Sequence, residues 1–382
     1  MRITVSSPTR FHLFDLGREL NRRGHNVTLF SALTSSYVPG ELRSSARCAP
    51  WLGALVAGSR LIPEGMLRRS LDWQQITRFD RWVARHLPPS DVAVALSGRG
   101  LRTLERAKEL GGRAVCDRGS AHIEFQDNIL SEEYARWGFE YPSIDPRGIA
   151  RELHEYEIAD LITVPSTFCA ETFIARGVLS SKVAVTPYGV DLDSFHPRTK
   201  EEGSSPFRIL FAGRVSLRKG VPYLLAAFRE LRRAHPSIEL WIAGVVEREV
   251  AQILHAQPSP VVMLGHLPRE RLMETYRDAS VLVLPSLEEG LATVMGQAMA
   301  SGLPVIATPN SGAPDLITDG TEGFIVPIRS SDAIRERVDQ LIEDPASRED
   351  MGRRARARVE RAGGWSAYAA AAELAYSRID PV

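Results

Sequence analysis

Short β-branched runs alternate with amphipathic stretches along this chain, and a glycine or polar turn separates most of them. Ile3–Ser6 is followed by a helical pattern over Phe11–Arg23 and a second apolar run over Asn26–Phe30. The rhythm recurs at Asp91–Leu96, Leu101–Leu110 and Arg113–Cys116, and again at Leu161–Val164, Phe168–Arg176 and Lys182–Thr186. Strands alternating with helices predict βαβ units and a parallel sheet. The segment His196–Pro206 is polar, turn-rich and without periodicity, which predicts a linker. Beyond it the rhythm restarts with strand Phe207–Phe211, helix Val221–Ala234, strand Glu239–Ala243, helix Glu247–Ala256, strand Val261–Leu264, helix Arg269–Ala279 and strand Val281–Pro285. The expected fold is therefore α/β, with two doubly wound domains in series and ligands at the carboxyl ends of the strands, in the cleft between them.

The length of 382 residues suits two domains. With 44% hydrophobic and 25% charged residues, the composition excludes disordered or fibrous classes. Cys48, Cys116 and Cys169 are widely spaced and form no metal-binding pattern, so neither a disulfide framework nor a zinc site is expected. Net charge is zero, which argues against nucleic acid as a partner. The zero hides an asymmetry: residues 1–110 hold 17 basic and 9 acidic side chains, and the remainder holds 30 and 38. Met1 runs directly into a strand with no basic-then-apolar leader, and no window of about 18 apolar residues occurs. A cytoplasmic location is the expectation.

Two segments carry chemistry. In Pro285–Thr308 an apolar strand meets a turn at Glu289-Gly290, then a helix running to about Ala300, with Gly302 closing it and strand Pro304–Ala307 after it. A glycine turn feeding a helix presents free N–H groups and the positive end of the dipole, a site for phosphate. Glu289 in that turn would repel phosphate, so its place is beside sugar hydroxyls. In Ile209–Gly220 a strand ends at Gly213, and Arg214 and Lys219 follow before a helix. Cations at a strand's carboxyl end fit a diphosphate. Each segment alone also reads as an ordinary strand–turn–helix.

Gly213-Arg-Val-Ser-Leu-Arg-Lys-Gly220 resembles the phosphate loop of retaining GT-B glycosyltransferases of family 4. The segment from Glu289 to Thr308 is similar to that family's E-x7-E region, Pro187-Tyr-Gly-Val-Asp191 to its P-N-G-V-D turn, and Arg23-Gly-His-Asn-Val-Thr28 to its R-G-H-x-V-T. Gly265-His266-Leu267 resembles its nucleobase loop. The resemblance spans nearly the whole chain. It implies a GT-B fold with an acceptor domain over 1–195 plus about 364–382 and a nucleotide-sugar domain over 206–363, the C-terminal helix near Trp365–Ile379 crossing back to the first domain. It implies retaining, metal-independent transfer without a cofactor, from a nucleotide-sugar to a glycan or lipid-linked hydroxyl acceptor, in bacterial polysaccharide or glycolipid synthesis. By the same resemblance His122, Arg214, Lys219 and Glu289 are the catalytic candidates. Gly213, Gly265, His266, Leu267, Gly290, Leu291, Ala292, Thr293 and Gln297 would hold the donor, and His12, Arg118 and Ser120 would lie on the acceptor side.

Two positions depart from the family pattern. Gln297 stands where the second Glu of E-x7-E grips a ribose, and it lacks the charge-assisted hydrogen bond. The first-strand loop Ser6–His12 has no Gly-Gly pair. These departures leave a catalytically weakened binding protein as an alternative, beside a nucleotide-sugar epimerase of the same fold. Gly98-Arg-Gly-Leu-Arg-Thr103, with Asp117 about 20 residues on, nearly copies a dinucleotide fingerprint and would suit an NAD-dependent oxidoreductase, but Thr103 replaces the third glycine. Trp73, Ile76, Phe79, Trp82 and Val83 recur at helical spacing among Arg68, Arg69, Arg78, Arg81 and Arg85. That stripe is either core backed by solvated arginines or an interfacial helix drawn to an anionic membrane surface.

Overall fold

Two parallel sheets organise the chain. The computed structural model describes residues 1–59, 66–197, 206–256 and 260–379. The linker expected over His196–Pro206 falls mostly outside the described residues. The first sheet contains β1 (Arg2–Ser6), β2 (Asn26–Ser31), β3 (Arg47–Cys48), β4 (Val92–Leu96), β5 (Arg113–Asp117), β6 (Leu161–Val164) and β7 (Val183–Val185) in the order β3-β2-β1-β4-β5-β6-β7. The second contains β8 (Arg208–Ala212), β9 (Glu239–Ala243), β10 (Val262–Gly265), β11 (Val281–Leu284), β12 (Val305–Ala307) and β13 (Gly323–Ile325) in the order β10-β9-β8-β11-β12-β13. Both orders reverse at the first strand. Each sheet therefore has a switch-point crevice, between β1 and β4 and between β8 and β11. Val-Leu-Val-Leu in β11 and Leu-Ile-Thr-Val in β6 are buried throughout, as strands covered on both faces must be.

The helix Gly364–Ser377 follows the second sheet in sequence but packs on the first. Tyr368, Ala369, Ala372 and Tyr376 join Ile3, Val5, Leu13, Leu16 and Leu29 in one core. The two chain crossings lie side by side: a Cβ at Gly189 would stand 2.2 Å from the amide nitrogen of Trp365. Phe195 is buried in the second core and packs edge-on against Tyr276.

The apolar stripe is divided between a core and a cavity wall. Phe79 and Val83, on the helix Met66–His86, enter a core with Phe30, against which Trp82 packs edge-on. Trp73 and Ile76 line a cavity in the first domain. Arg78, Arg81 and Arg85 face solvent, as does Leu67 near the start of the same helix. Among the described residues no helix is long and apolar enough to cross a membrane.

Candidate functional site

The crevice of the second sheet brings the two phosphate-loop segments together. The loop after β8 turns at Gly220, whose φ is +67° and whose missing Cβ leaves room for the carbonyl of Pro285, 2.0 Å from where that atom would stand. No side chain fits there, which is why the loop can lie against the end of β11. Lys219 thereby forms an ion pair with Glu289 Oε1, and both side chains are mostly buried. Burial, with Arg218 and Arg214 nearby, pushes the Lys219 ammonium down to about 7, against the pull of Glu288. Arg214 is two-thirds exposed and lies 3.6 Å from Glu247.

Donor candidates sort into three places. Gly213 and Arg214 line a pocket of about 310 Å³ with Gly244, His266, Leu267 and Val294. Gly265 turns the chain into that pocket with φ +64°. Gly290, Leu291 and Ala292 precede the helix, which starts at Thr293 with no side-chain cap on its N-terminus. Gln297 turns back into its own domain, where its Oε1 accepts from Tyr276 Oη at 3.1 Å. What it retains for a ligand is its amide NH2.

The acceptor-side candidates are not free groups. Ser120 Oγ donates to Glu288 Oε1 at 2.5 Å, and Arg218 Nη2 donates to Ser120 Oγ at 3.0 Å. Arg118 is buried, 2.7 Å from Glu152 through Nη1, and donates to Ala121 O and Gln126 Oε1. His12 opens the helix His12–Arg22. Its Nε2 stands 2.5 Å from Asp117 Oδ1, while Thr163 Oγ1 holds the other oxygen at 2.8 Å. The His12 ring stacks on Tyr188 at 4.3 Å, and its Nδ1 is buried without a hydrogen-bond partner.

His122, a catalytic candidate by resemblance, is buried in the first domain. Its Nδ1 caps the helix Ile123–Arg136 by accepting from the Glu124 amide at 3.3 Å. Its ring packs edge-on against Phe173 at 4.9 Å and tilted against Tyr156 at 5.2 Å. Burial, with Arg176 and Arg118, pushes the imidazole down to about 4, so it is neutral at neutral pH. A short apolar neighbourhood draws the ring inward, although the strand end points toward the cleft.

Motif matching singles out Lys219 and Glu289 but passes over the residues beside them. Glu288 is fully buried and reaches across the cleft. It accepts from Ser120 Oγ, from Ala121 N at 3.0 Å and from Gln126 Nε2 at 2.9 Å, and it pairs with Arg218 at 2.9 Å. Burial works against its charge, but Arg218, the Ser120 hydroxyl and the Ala121 amide outweigh it and hold the carboxyl below its usual range. Ser166 Oγ donates to Gly290 O at 2.6 Å, a second tie between the domains. The one available signal was adjacency: a second acid and a second cation directly flank the motif residues.

The Gly98–Thr103 turn holds no free anion site. The amides of Gly98 and Gly100 donate to the buried Glu155 carboxylate, and those of Arg102 and Thr103 donate to Asp80. The chain fills most of this nest with its own acids, whose charge would repel a dinucleotide phosphate.

Known proteins agree with this geometry. Residues 10–194 match the family described as Glycosyltransferase Family 4, and residues 194–358 match Glycosyl transferases group 1. Sucrose-phosphate synthase from Thermosynechococcus elongatus has the same fold, with a TM-score of 0.74 at 19% identity over 99% of this chain and 98% of that one. Anabaena HepE in complex with UDP-glucose superposes with a TM-score of 0.69 at 16% identity over 99% of this chain and 100% of that one. A D-inositol 3-phosphate glycosyltransferase of Pseudarthrobacter chlorophenolicus is 34% identical over 59% of this chain and 58% of its own length. The putative colanic acid biosynthesis glycosyltransferase WcaL of Escherichia coli is 28% identical over 71% and 66%. The matches thus span about three-fifths of these curated relatives. Two doubly wound sheets facing one cleft, with both halves matched in order, place the chain in the group 1 glycosyltransferase family, with a GT-B fold.

Proposed function

We propose that the protein transfers a sugar from a nucleotide-sugar to an acceptor hydroxyl, the second domain holding the donor and the first the acceptor. The observation that carries this reading is the Lys219–Glu289 pair in the second crevice, beside an uncapped helix N-terminus. Without donor the two side chains neutralise each other. A bound diphosphate would draw Lys219 to itself and release Glu289 to accept from sugar hydroxyls. Lys219, Arg214 and the N–H groups near Thr293 would then meet the charge that grows on the leaving diphosphate, a role in which one preorganised donor contributes about 2.7–4 kcal/mol.

In this reading the acceptor oxygen attacks the anomeric carbon on the face from which the diphosphate leaves. The new C–O bond forms as the bond to phosphate breaks, the acceptor proton passes to the departing phosphate oxygen, and configuration is retained. The chain's own cations do the neutralising, with no resident metal or cofactor. The printed name of the colanic acid relative supports bacterial polysaccharide synthesis; a glycan or lipid-linked acceptor, glycolipid synthesis and a cytoplasmic setting belong to the same proposal. Docking on an anionic membrane would rest on the exposed arginines alone.

Thermal shift with UDP-, GDP- and ADP-sugars tests the reading, since a ligand at 100 times its Kd adds about 2.7 kcal/mol. HepE was solved with UDP-glucose, which makes that donor the first choice. One nucleotide-sugar should stabilise the protein, and Lys219→Ala should remove the effect. Failure of all three sinks the reading. Because Gln297 is engaged by Tyr276, binding without turnover would instead favour a binding protein.

A further inference from the structure

We propose that the first domain selects an acceptor carrying an anionic group, phosphate or carboxylate, seated on Arg99; this rests on the glycosyl-transfer reading above. A cavity of about 520 Å³ opens in the first domain. One part of its wall, Gly119, Ser120 and Arg218, adjoins the donor turn: Gly290 packs so closely on Gly119 that a Cβ there would stand 2.1 Å from the Gly119 carbonyl oxygen. An acceptor in this cavity would therefore lie next to the proposed donor site. Trp73, Ile76 and Phe11 supply apolar wall for a carbon skeleton.

The charges in the wall are unequal in what they already hold. Arg118 closes onto Glu152, which also accepts from Ser97 Oγ and Tyr156 Oη. Arg218 pairs with Glu288, and Asp145 pairs with Arg147 at 2.6 Å. Asp72 lies 4.0 Å from Arg68. Arg99 makes no ion pair and no side-chain hydrogen bond among the described residues. Glu152 attracts it at a distance without touching it, while burial and Arg151 pull its guanidinium below the usual range.

A guanidinium keeps its proton in proteins, so Arg99 remains charged. Arg99 is partly exposed to the cavity, and Glu152 and Asp72 attract it without an ion pair among the described residues, so its fork of donors is open to an incoming anion. The fold gives it no structural duty: Asp80 and Glu155 already satisfy the turn and helix start around it. Those acids also occupy the nearby amides, so an incoming anion has the side chain of Arg99 and not the backbone to bind. The planar fork of guanidinium donors matches two oxygens of a phosphate or a carboxylate. Arg69, exposed in the same wall, adds attraction of the same sign.

The test titrates the full chain with glucose 6-phosphate, glucuronate and glucose, following the Arg side-chain Nε resonances and calorimetric affinity, with UDP, GDP and ADP as a separate arm. One or both anionic probes should bind at least about tenfold more tightly than glucose, and which one does separates phosphate from carboxylate. Arg99→Gln should bring that preference to within about twofold, Arg99→Lys should keep part of it, and nucleotide binding should stay unchanged in both. If glucose binds as well as the anionic probes, or if Arg99→Gln keeps their advantage, the proposal fails. If no nucleotide binds while the Arg99-dependent preference persists, the anion site stands and the glycosyl-transfer reading falls instead.

Discussion

Glu288→Gln should loosen the closed cleft. The carboxylate belongs to the second domain, yet three of its four donors belong to the first: Ser120 Oγ at 2.5 Å, Ala121 N at 3.0 Å and Gln126 Nε2 at 2.9 Å. The fourth, Arg218, is its charge partner at 2.9 Å. Glutamine keeps the volume but loses the charge, and its NH2 must confront a donor. A hydrogen bond to a charged group contributes about 1.5–3 kcal/mol. Breaking one side of a buried ion pair costs about 3–5 kcal/mol. Arg218 is about a third exposed and can turn to water, so the lower end applies, about 3 kcal/mol. At 1.36 kcal/mol per factor of ten, the balance between closed and open forms shifts by roughly 150-fold. The assay pairs small-angle scattering with kcat/KM. The variant should scatter as a more extended particle and lose about 100-fold in kcat/KM, while donor binding, which the proposed function assigns to the second domain, falls less than about tenfold. A wild-type scattering profile with kcat/KM within about threefold of wild type would refute the latch. The Glu288 carboxyl is held below its usual range. Its contribution is therefore complete above that range and is lost as pH falls through the lowered value.

Other predictions concern the donor loops. Lys219→Ala should lower kcat/KM by about 2–4 kcal/mol, and because it leaves Glu289 mostly buried and unpaired it should also cost about 1–3 kcal/mol of stability by chemical denaturation. Arg214→Ala should cost activity on the same scale with stability untouched, its side chain being mostly exposed. Nucleoside diphosphate affinity should fall as pH rises above about 7, where Lys219 loses its proton, and calorimetry in buffers of different ionisation enthalpy should show proton uptake on binding. Gln297→Glu should tighten nucleotide binding by up to about 1–2 kcal/mol, with Tyr276 still donating to the new carboxylate; strong weakening by calorimetry would show a pocket built around the amide.

The strand–helix rhythm was legible because a parallel sheet demands it. Runs such as Val281–Leu284 and Ile209–Phe211 are apolar through their length, since helices cover both faces. The turns at Gly213–Gly220 and Glu289–Gly290 were legible as breaks between strand and helix because of the backbone freedom of glycine. The helices Ile123–Arg136, Pro146–Ile158, Ser331–Glu343 and Pro345–Ala362 are not announced by that rhythm, because nothing in it distinguishes a covering helix from a loop. Yet Ile123–Arg136 carries Gln126, and Pro146–Ile158 carries Glu152 and Glu155, so part of the site's surroundings stayed hidden with them.

What the sequence determined by itself was the chain's local architecture: two series of strands and helices, the glycine turns at Gly213–Gly220 and Glu289–Gly290, and the order of the motifs. These follow from the period of the apolar positions and the backbone freedom of glycine, both local properties. Only the tertiary structure decided what each side chain faces. It turned His122 into a helix cap between Phe173 and Tyr156, and it split the tryptophan stripe between core and cavity. It filled the Gly98–Gly100 nest with Glu155, left Arg99 without an ion pair among the described residues and set Glu288 across the cleft. The contacts that decide these outcomes join groups as far apart in sequence as Ala121 and Glu288, and hydrogen bonds and ion pairs act over a few ångströms, so only the folded arrangement can say which distant groups come within that reach.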